Sequence, residues 1–310
     1  MSKAQASTYV ISITPFTAEG RFDEDLVRRH LRRMGEGGVG VYVGGSGSGE
    51  GYTLDPDETR ALLHIAAQTL KGVVPVRGMG TEPRHSRQMI EYARLVEEAG
   101  LDAMQIYSLD PGHGTAPTPE ETERYLRDVL EAVRIPVVIS THQSVGYKQP
   151  IALLEQLAAE YGNLIGINCS HQDVGYLAEL VDALGDRLEV HCGGPHQGLL
   201  TLALGGTGFL TSEANLAPKL CRAVIDGYLA GDVAAMMDSF GKVVRLSALL
   251  YGAGGIRMTK AVLGEYGLAG GIPRRPQLAP GDDEVRRVVA QVEALGVPGI
   301  EGLSTTLVPA

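Results

Sequence analysis

A chain of 310 residues with 44% hydrophobic content buries a large core, either as one barrel-sized domain or as two smaller ones. Its formal charge of -10 and its lack of a basic run argue against a nucleic-acid partner, because that affinity rests on Lys and Arg against phosphates. No stretch offers the roughly 20 apolar residues of a membrane span, and three cysteines, an odd number, make no disulfide framework. The expectation is a cytoplasmic protein whose ligands are small molecules.

Short Val, Ile and Leu runs alternate with longer amphipathic stretches along the chain, the pattern of repeated strand–helix units around a parallel sheet. Strands are predicted at 9–14, 38–43, 73–77, 103–107, 136–140, 164–168, 188–192 and 208–211. Helices are predicted between them at 23–35, 57–70, 83–99, 119–133, 151–161, 174–184 and 197–204. Eight such strands make a (β/α)8 TIM barrel over residues 1–215. Helical patterns at 217–230, 233–250 and 282–295, with Pro and Gly punctuation near 270–280, form a C-terminal helical appendage over 216–310.

Function in such a barrel belongs to the loops that leave the C-terminal ends of the strands. The segments SITPFTAEGRFDEDLVRRHL (12–31), GGSGSGEGYTLDPDE (44–58), ARLVEEAGLDAMQIY (93–107), LALGGTGFLTSEANLAPKL (202–220) and RRPQLAP (274–280) stand in the order and spacing of one family. The chain resembles the dihydrodipicolinate synthase and N-acetylneuraminate lyase family. That resemblance implies a 2-oxo acid bound as a Schiff base on a sixth-strand lysine, with a fifth-strand tyrosine relaying protons. Neither residue stands in its place. IGINCSHQD (165–173) puts Asn168 at the lysine, and an amide forms no imine. PVVISTHQS (136–144) puts Ser140 at the tyrosine, and Val145 falls where some members hold the substrate carboxylate with an arginine.

An imine needs an amine that attacks near neutral pH. Lys148, in the loop after the fifth strand, is the one lysine at the functional face, and it is either a relocated amine or a solvated loop charge. Lys3, Lys71, Lys219, Lys242 and Lys260 fall on the N-terminal tail or on or beside helices.

The replacements at the barrel mouth are polar rather than apolar. Period-two alternation turns Ser140 and His142 to one side, and Asn168 and Ser170 to one side. Ser46 and Ser48 in the glycine-rich turn either cradle a carboxylate or merely ride a strand-to-helix turn. Arg77 either clamps a carboxylate or pairs with Glu50 or Glu213 inside the barrel. Tyr107, which ends the fourth strand, and Glu213, which follows the eighth, complete a substrate-binding group. His142 and His171 are acid–base candidates, against the alternative of loop histidines held by backbone. Asn168 either donates to an oxyanion or fills a former lysine site. His113, His142, His171, His191 and His196 raise a metal, but no HxH or HExxH spacing occurs, so neither a metal nor another cofactor is assigned.

Two classes of function follow. One is a lyase-like enzyme acting on a 2-oxo acid or other small carboxylate without an imine. The other is a non-catalytic descendant that binds such a carboxylate. The resemblance also implies a homo-oligomer, a dimer or tetramer, with the loop LDPGHGTAPTPE (109–120) meeting a neighbour; this loop lacks the paired aromatics often found there.

Overall fold

The computed structural model describes residues 5–304, so Lys3 lies outside the described residues. Eight parallel strands close into a barrel in sequence order: β1 (Ser7–Ile11), β2 (Gly40–Val43), β3 (Val76–Gly78), β4 (Ala103–Ile106), β5 (Val137–Thr141), β6 (Leu164–Cys169), β7 (Glu189–Gly193) and β8 (Gly208–Thr211). Each predicted strand is present, with its ends at most three residues from the predicted ones and β8 matching at both ends. β8 closes on β1 through the pairs Ser7–Gly208 to Val10–Thr211. Gly208 makes that seam possible: at φ +151°, a Cβ there would sit 1.9 Å from the Ser7 carbonyl oxygen.

The helices α1 (Glu24–Glu36), α2 (Pro56–Leu70), α3 (Ser86–Ala99), α4 (Pro119–Ala132), α5 (Ile151–Glu160), α6 (Val174–Leu184) and α7 (Gly198–Ala203) alternate with the strands. Their starts are written in the sequence. Asp55 and Glu58 form a capping box ahead of α2, as Thr118 and Glu121 do ahead of α4, each with proline in the first turn. α3 ends where Gly100 turns left-handed at φ 76°.

Five helices follow among the described residues: α8 (Pro218–Ala230), α9 (Val233–Gly252), α10 (Ile256–Glu265), α11 (Asp282–Ala294) and α12 (Val297–Glu301). α8 packs on β1 and α9, α10 on α9 and α11, and α12 on α8. Among the described residues no helix is long and apolar enough to cross a membrane.

The barrel interior is polar as well as apolar. Arg77 on β3 makes two parallel bonds to Glu189 on β7, at 2.8 and 3.1 Å, donates to the Tyr42 hydroxyl at 3.3 Å, and lies 4.3 Å from the Tyr9 ring centre. His191 on β7 shares a 2.9 Å bond with the Ser7 hydroxyl. Such a fork-to-carboxylate pair offsets the charge of a buried guanidinium that would otherwise be costly, although the Arg77 Nε is buried without a partner.

Candidate active site

A cavity of about 770 Å³ opens at the C-terminal ends of the strands. Its lining combines the segments that follow β2 through β8 with the C-terminal half of α9.

The turn after β2, Gly44 to Glu50, folds back on itself tightly enough that a Cβ on Gly51 would lie 2.1 Å from the Gly44 carbonyl oxygen. Glu50 closes it in the left-handed region at φ 50°, which a non-glycine residue holds only against strain. What holds it is a fully buried ion pair to Lys260 of α10, whose ammonium also donates to the carbonyls of Thr14 at 2.8 Å and Ile272 at 3.1 Å. The turn thereby presents Ser46 and Ser48 to the cavity.

Each serine is already engaged. Ser46 meets the Tyr107 phenol with its side chain and backbone. Ser48 shares a 2.5 Å bond with Ser212, which also accepts from the Tyr251 hydroxyl at 2.9 Å. Burial pushes the Tyr107 phenol up to about 12, with Ser46 and Gln105 pulling it partly back.

Edge-on to Tyr107, with the ring centres 5.8 Å apart, stands His142, capping the short turn Gln143–Val145. Its Nδ1 shares a 2.5 Å bond with the Ser144 hydroxyl and accepts the Ser144 amide at 3.2 Å, while that hydroxyl reaches Glu82 at 3.5 Å. An accepting Nδ1 puts the proton of the neutral ring on Nε2. Burial depresses the His142 pKa, and the nearby Glu82 opposes this. The imidazole is therefore neutral at pH 7 and offers an Nε2–H donor.

Glu213 lies just after β8 and is 1% exposed. One carboxylate oxygen accepts from the Thr211 hydroxyl at 2.6 Å and the Ser212 amide at 3.0 Å. The other, Oε1, is buried without a partner.

The nine residues singled out in the sequence thus divide. Ser46, Ser48, Tyr107, Ser140, His142 and Glu213 line the cavity; Arg77, Asn168 and His171 do not. Arg77 faces into the barrel, as one of its two readings had it, but its partner is Glu189 rather than Glu50 or Glu213. Glu50 is taken by Lys260. Asn168, 1% exposed, lies deeper in the barrel and donates to the Gln105 side chain at 2.6 Å and the Tyr42 hydroxyl at 3.2 Å, its own Oδ1 unpartnered. Its side chain reaches the cavity through Gln105, which lines it, and its backbone pairs in register with Ser140, which lines it too. His171 packs edge-on against Tyr176, with Nε2 buried and unpaired. Lys148 pairs with Asp173, its side chain 40% exposed, outside the cavity lining.

Among the described residues no lysine or arginine lines the cavity, and no group of three or more His, Cys, Asp or Glu is arranged to hold a metal. The five histidines do not converge: His142 and His196 line the cavity, whereas His191 sits inside the barrel.

Several lining groups were missed from sequence: Glu82, Gln105, Ser212, Ser247 and Tyr251. Gln105 and Tyr107, two apart at the end of β4, follow the same alternation that picked out Ser140 and His142, so Gln105 was within reach. Tyr251 and Ser247 carry no comparable signal, since they lie on a helix beyond the barrel.

With this geometry in hand, the family model for the dihydrodipicolinate synthetase family matches residues 5–295. The chain belongs to that family. Similar members include a 4-hydroxy-tetrahydrodipicolinate synthase of Methanosarcina acetivorans, 26% identical over 287 residues that cover 92% of this chain and 96% of the relative. A DapA-like lyase of Pyrococcus abyssi is 27% identical over 278 residues, covering 86% and 89%. In structure, the dihydrodipicolinate synthase of Aquifex aeolicus superposes with a TM-score of 0.86 at 21% identity, over 95% of this chain and 99% of that one, a likeness of fold. For this family member the cavity occupies the face where barrel enzymes act.

Proposed function

We propose that this family member is a lyase-type enzyme that acts on a small carboxylate, 2-oxo acids among them, without forming an imine. The observation that carries the reading is a cavity at the strand ends lined by acid–base and hydroxyl groups and, among the described residues, by no amine. In this reading the Ser46–Ser48 turn receives the substrate carboxylate with hydroxyls and amides. His142 is the catalytic donor, its neutral Nε2–H directed at the substrate oxygen that gains charge. Tyr107 and Ser140 complete the polar wall around that oxygen, and Glu213 accepts a substrate hydrogen. Asn168 acts at one remove, as a positioning residue that holds Gln105. His171 packs behind the site, so its acid–base role is not part of the proposal.

A second reading, a non-catalytic carboxylate-binding descendant, draws on the way Asn168 is tied into the core by Tyr42 and Gln105. A homo-oligomer belongs to either reading and is checked by light scattering.

The experiment is borohydride treatment with a panel of 2-oxo acids, read by intact-protein mass spectrometry, beside turnover assays on the same panel. We expect no reduced adduct where a lysine-bearing family member gives one, together with measurable cleavage or elimination. An adduct abolished by Lys148→Ala would overturn the imine-free mechanism. Saturable binding with no turnover would favour the second reading.

A further inference from the structure

Glu213 is unusual among the cavity groups. It is a buried carboxylate that, among the described residues, has no cationic partner, one of its oxygens is saturated, and the other is an acceptor with nothing to accept. An unmade bond at a buried acceptor costs about 1–3 kcal/mol, so its persistence points to a group that arrives with the ligand. Among the described residues the only other carboxylate in the lining is Glu82, beside Ser144, and no lysine or arginine lines the cavity with them. A ligand that supplies only negative charge leaves this cavity with uncompensated carboxylates in a desolvated space.

The neighbouring groups fix where the missing donor sits. The Ser212 amide binds the satisfied oxygen of Glu213, and the Ser212 hydroxyl is 2.5 Å from Ser48, on the glycine-rich turn. The carboxylate-receiving turn and the residue that carries the unfilled acceptor are therefore joined through Ser212 alone, which places them as neighbours in one corner of the cavity. Tyr251 closes this corner by donating to Ser212.

We infer that the ligand is a 2-amino acid, its carboxylate on the Ser46–Ser48 turn and its ammonium on Glu213 Oε1. The inference rests on the carboxylate-binding reading above and adds the ammonium. An ammonium donates to a carboxylate with a charge-assisted bond, and its charge offsets the one the cavity walls leave unpaired. A 2-oxo or 2-hydroxy counterpart fits the same space without that charge.

Calorimetric titration with matched trios tests this: glutamate, 2-oxoglutarate and 2-hydroxyglutarate, then alanine, pyruvate and lactate, on the wild-type protein and on Glu213→Gln and Ser48→Ala. In at least one trio the amino acid is expected to bind ten-fold or more tighter than its two counterparts. Glu213→Gln, nearly isosteric, removes that preference, whereas Ser48→Ala weakens all three members alike. Equal or tighter binding of the 2-oxo and 2-hydroxy acids to the wild-type protein would overturn the ammonium site while leaving the carboxylate reading intact. No saturable binding by any of the six would sink both. The wild-type comparison needs no variant to fold, and thermal melts of both variants confirm that they do.

Discussion

His142 illustrates how a side chain acquires chemistry from its neighbours. The Ser144 amide fixes its tautomer, burial lowers its pKa, and Glu82, reached through the Ser144 hydroxyl, works in the opposite direction. Because a nearby negative charge favours the imidazolium, Glu82→Gln is expected to lower the His142 pKa further. Proton NMR of the imidazole ring across pH 4 to 8 measures it: the wild-type midpoint falls below the ordinary histidine value of about 6.5, and the variant midpoint below that. A midpoint that rises in Glu82→Gln would show that the carboxylate does not couple to the ring. If His142 donates to the substrate as proposed, His142→Ala lowers kcat by roughly 10²- to 10⁴-fold. The sequence could mark His142 because strand ends in this fold face the chemistry. It could not mark the partner of Arg77, because β3 and β7 face each other only across the closed barrel, and nothing local to Arg77 names Glu189.

At the scale of elements, most of the architecture was legible because each unit obeys one period. Buried parallel strands read as Val and Ile runs, and helices such as α4 and α6 carry both an apolar face and a cap. α10 and α12 escaped for physical reasons. α12 has only five residues, and α10 follows the glycines Gly252, Gly254 and Gly255 and carries Lys260 on its buried face. That lysine is the reason α10 matters, since it pins the glycine turn of the cavity through Glu50. Replacing it with methionine leaves Glu50 buried with only the Arg274 amide, at 3.3 Å, still donating to its carboxylate. Lys260→Met is therefore expected to cost about 3–5 kcal/mol, and the double variant Glu50→Gln with Lys260→Met to cost less than the single one, because it removes the stranded charge. Urea denaturation of the single and double variants decides this. Strictly additive losses would mean that the pair does not interact.

At the scale of the whole molecule, the barrel is held at two places by buried neutral histidines. His30 of α1 bonds through Nε2 to the Asn215 side chain at 2.9 Å; that same residue accepts the Ile13 amide and donates to the Ile11 carbonyl, each at 2.9 Å, joining β1 to the turn after β8. His191 sits between Ser7 and the Tyr9 ring inside the barrel. Burial pushes both down to about 4, from an ordinary value near 6.5 in the unfolded chain. Above pH 6.5 both states hold these rings neutral and stability does not depend on them. As pH falls below 6.5 the unfolded chain takes up protons that the folded one refuses, so unfolding is favoured by about 1.4 kcal/mol per pH unit for each ring until about pH 4. Urea midpoints measured between pH 7.5 and 4.5 should stay level down to about 6.5 and then decline. In His191→Asn, which has no proton to take up in either state, the decline should be shallower even if the midpoint at pH 7.5 is lower. A wild-type midpoint that holds constant down to pH 4.5 would mean that the two rings are protonated in the folded barrel, and that the core accommodates charge at Ser7 and Asn215 where the geometry provides for a neutral ring.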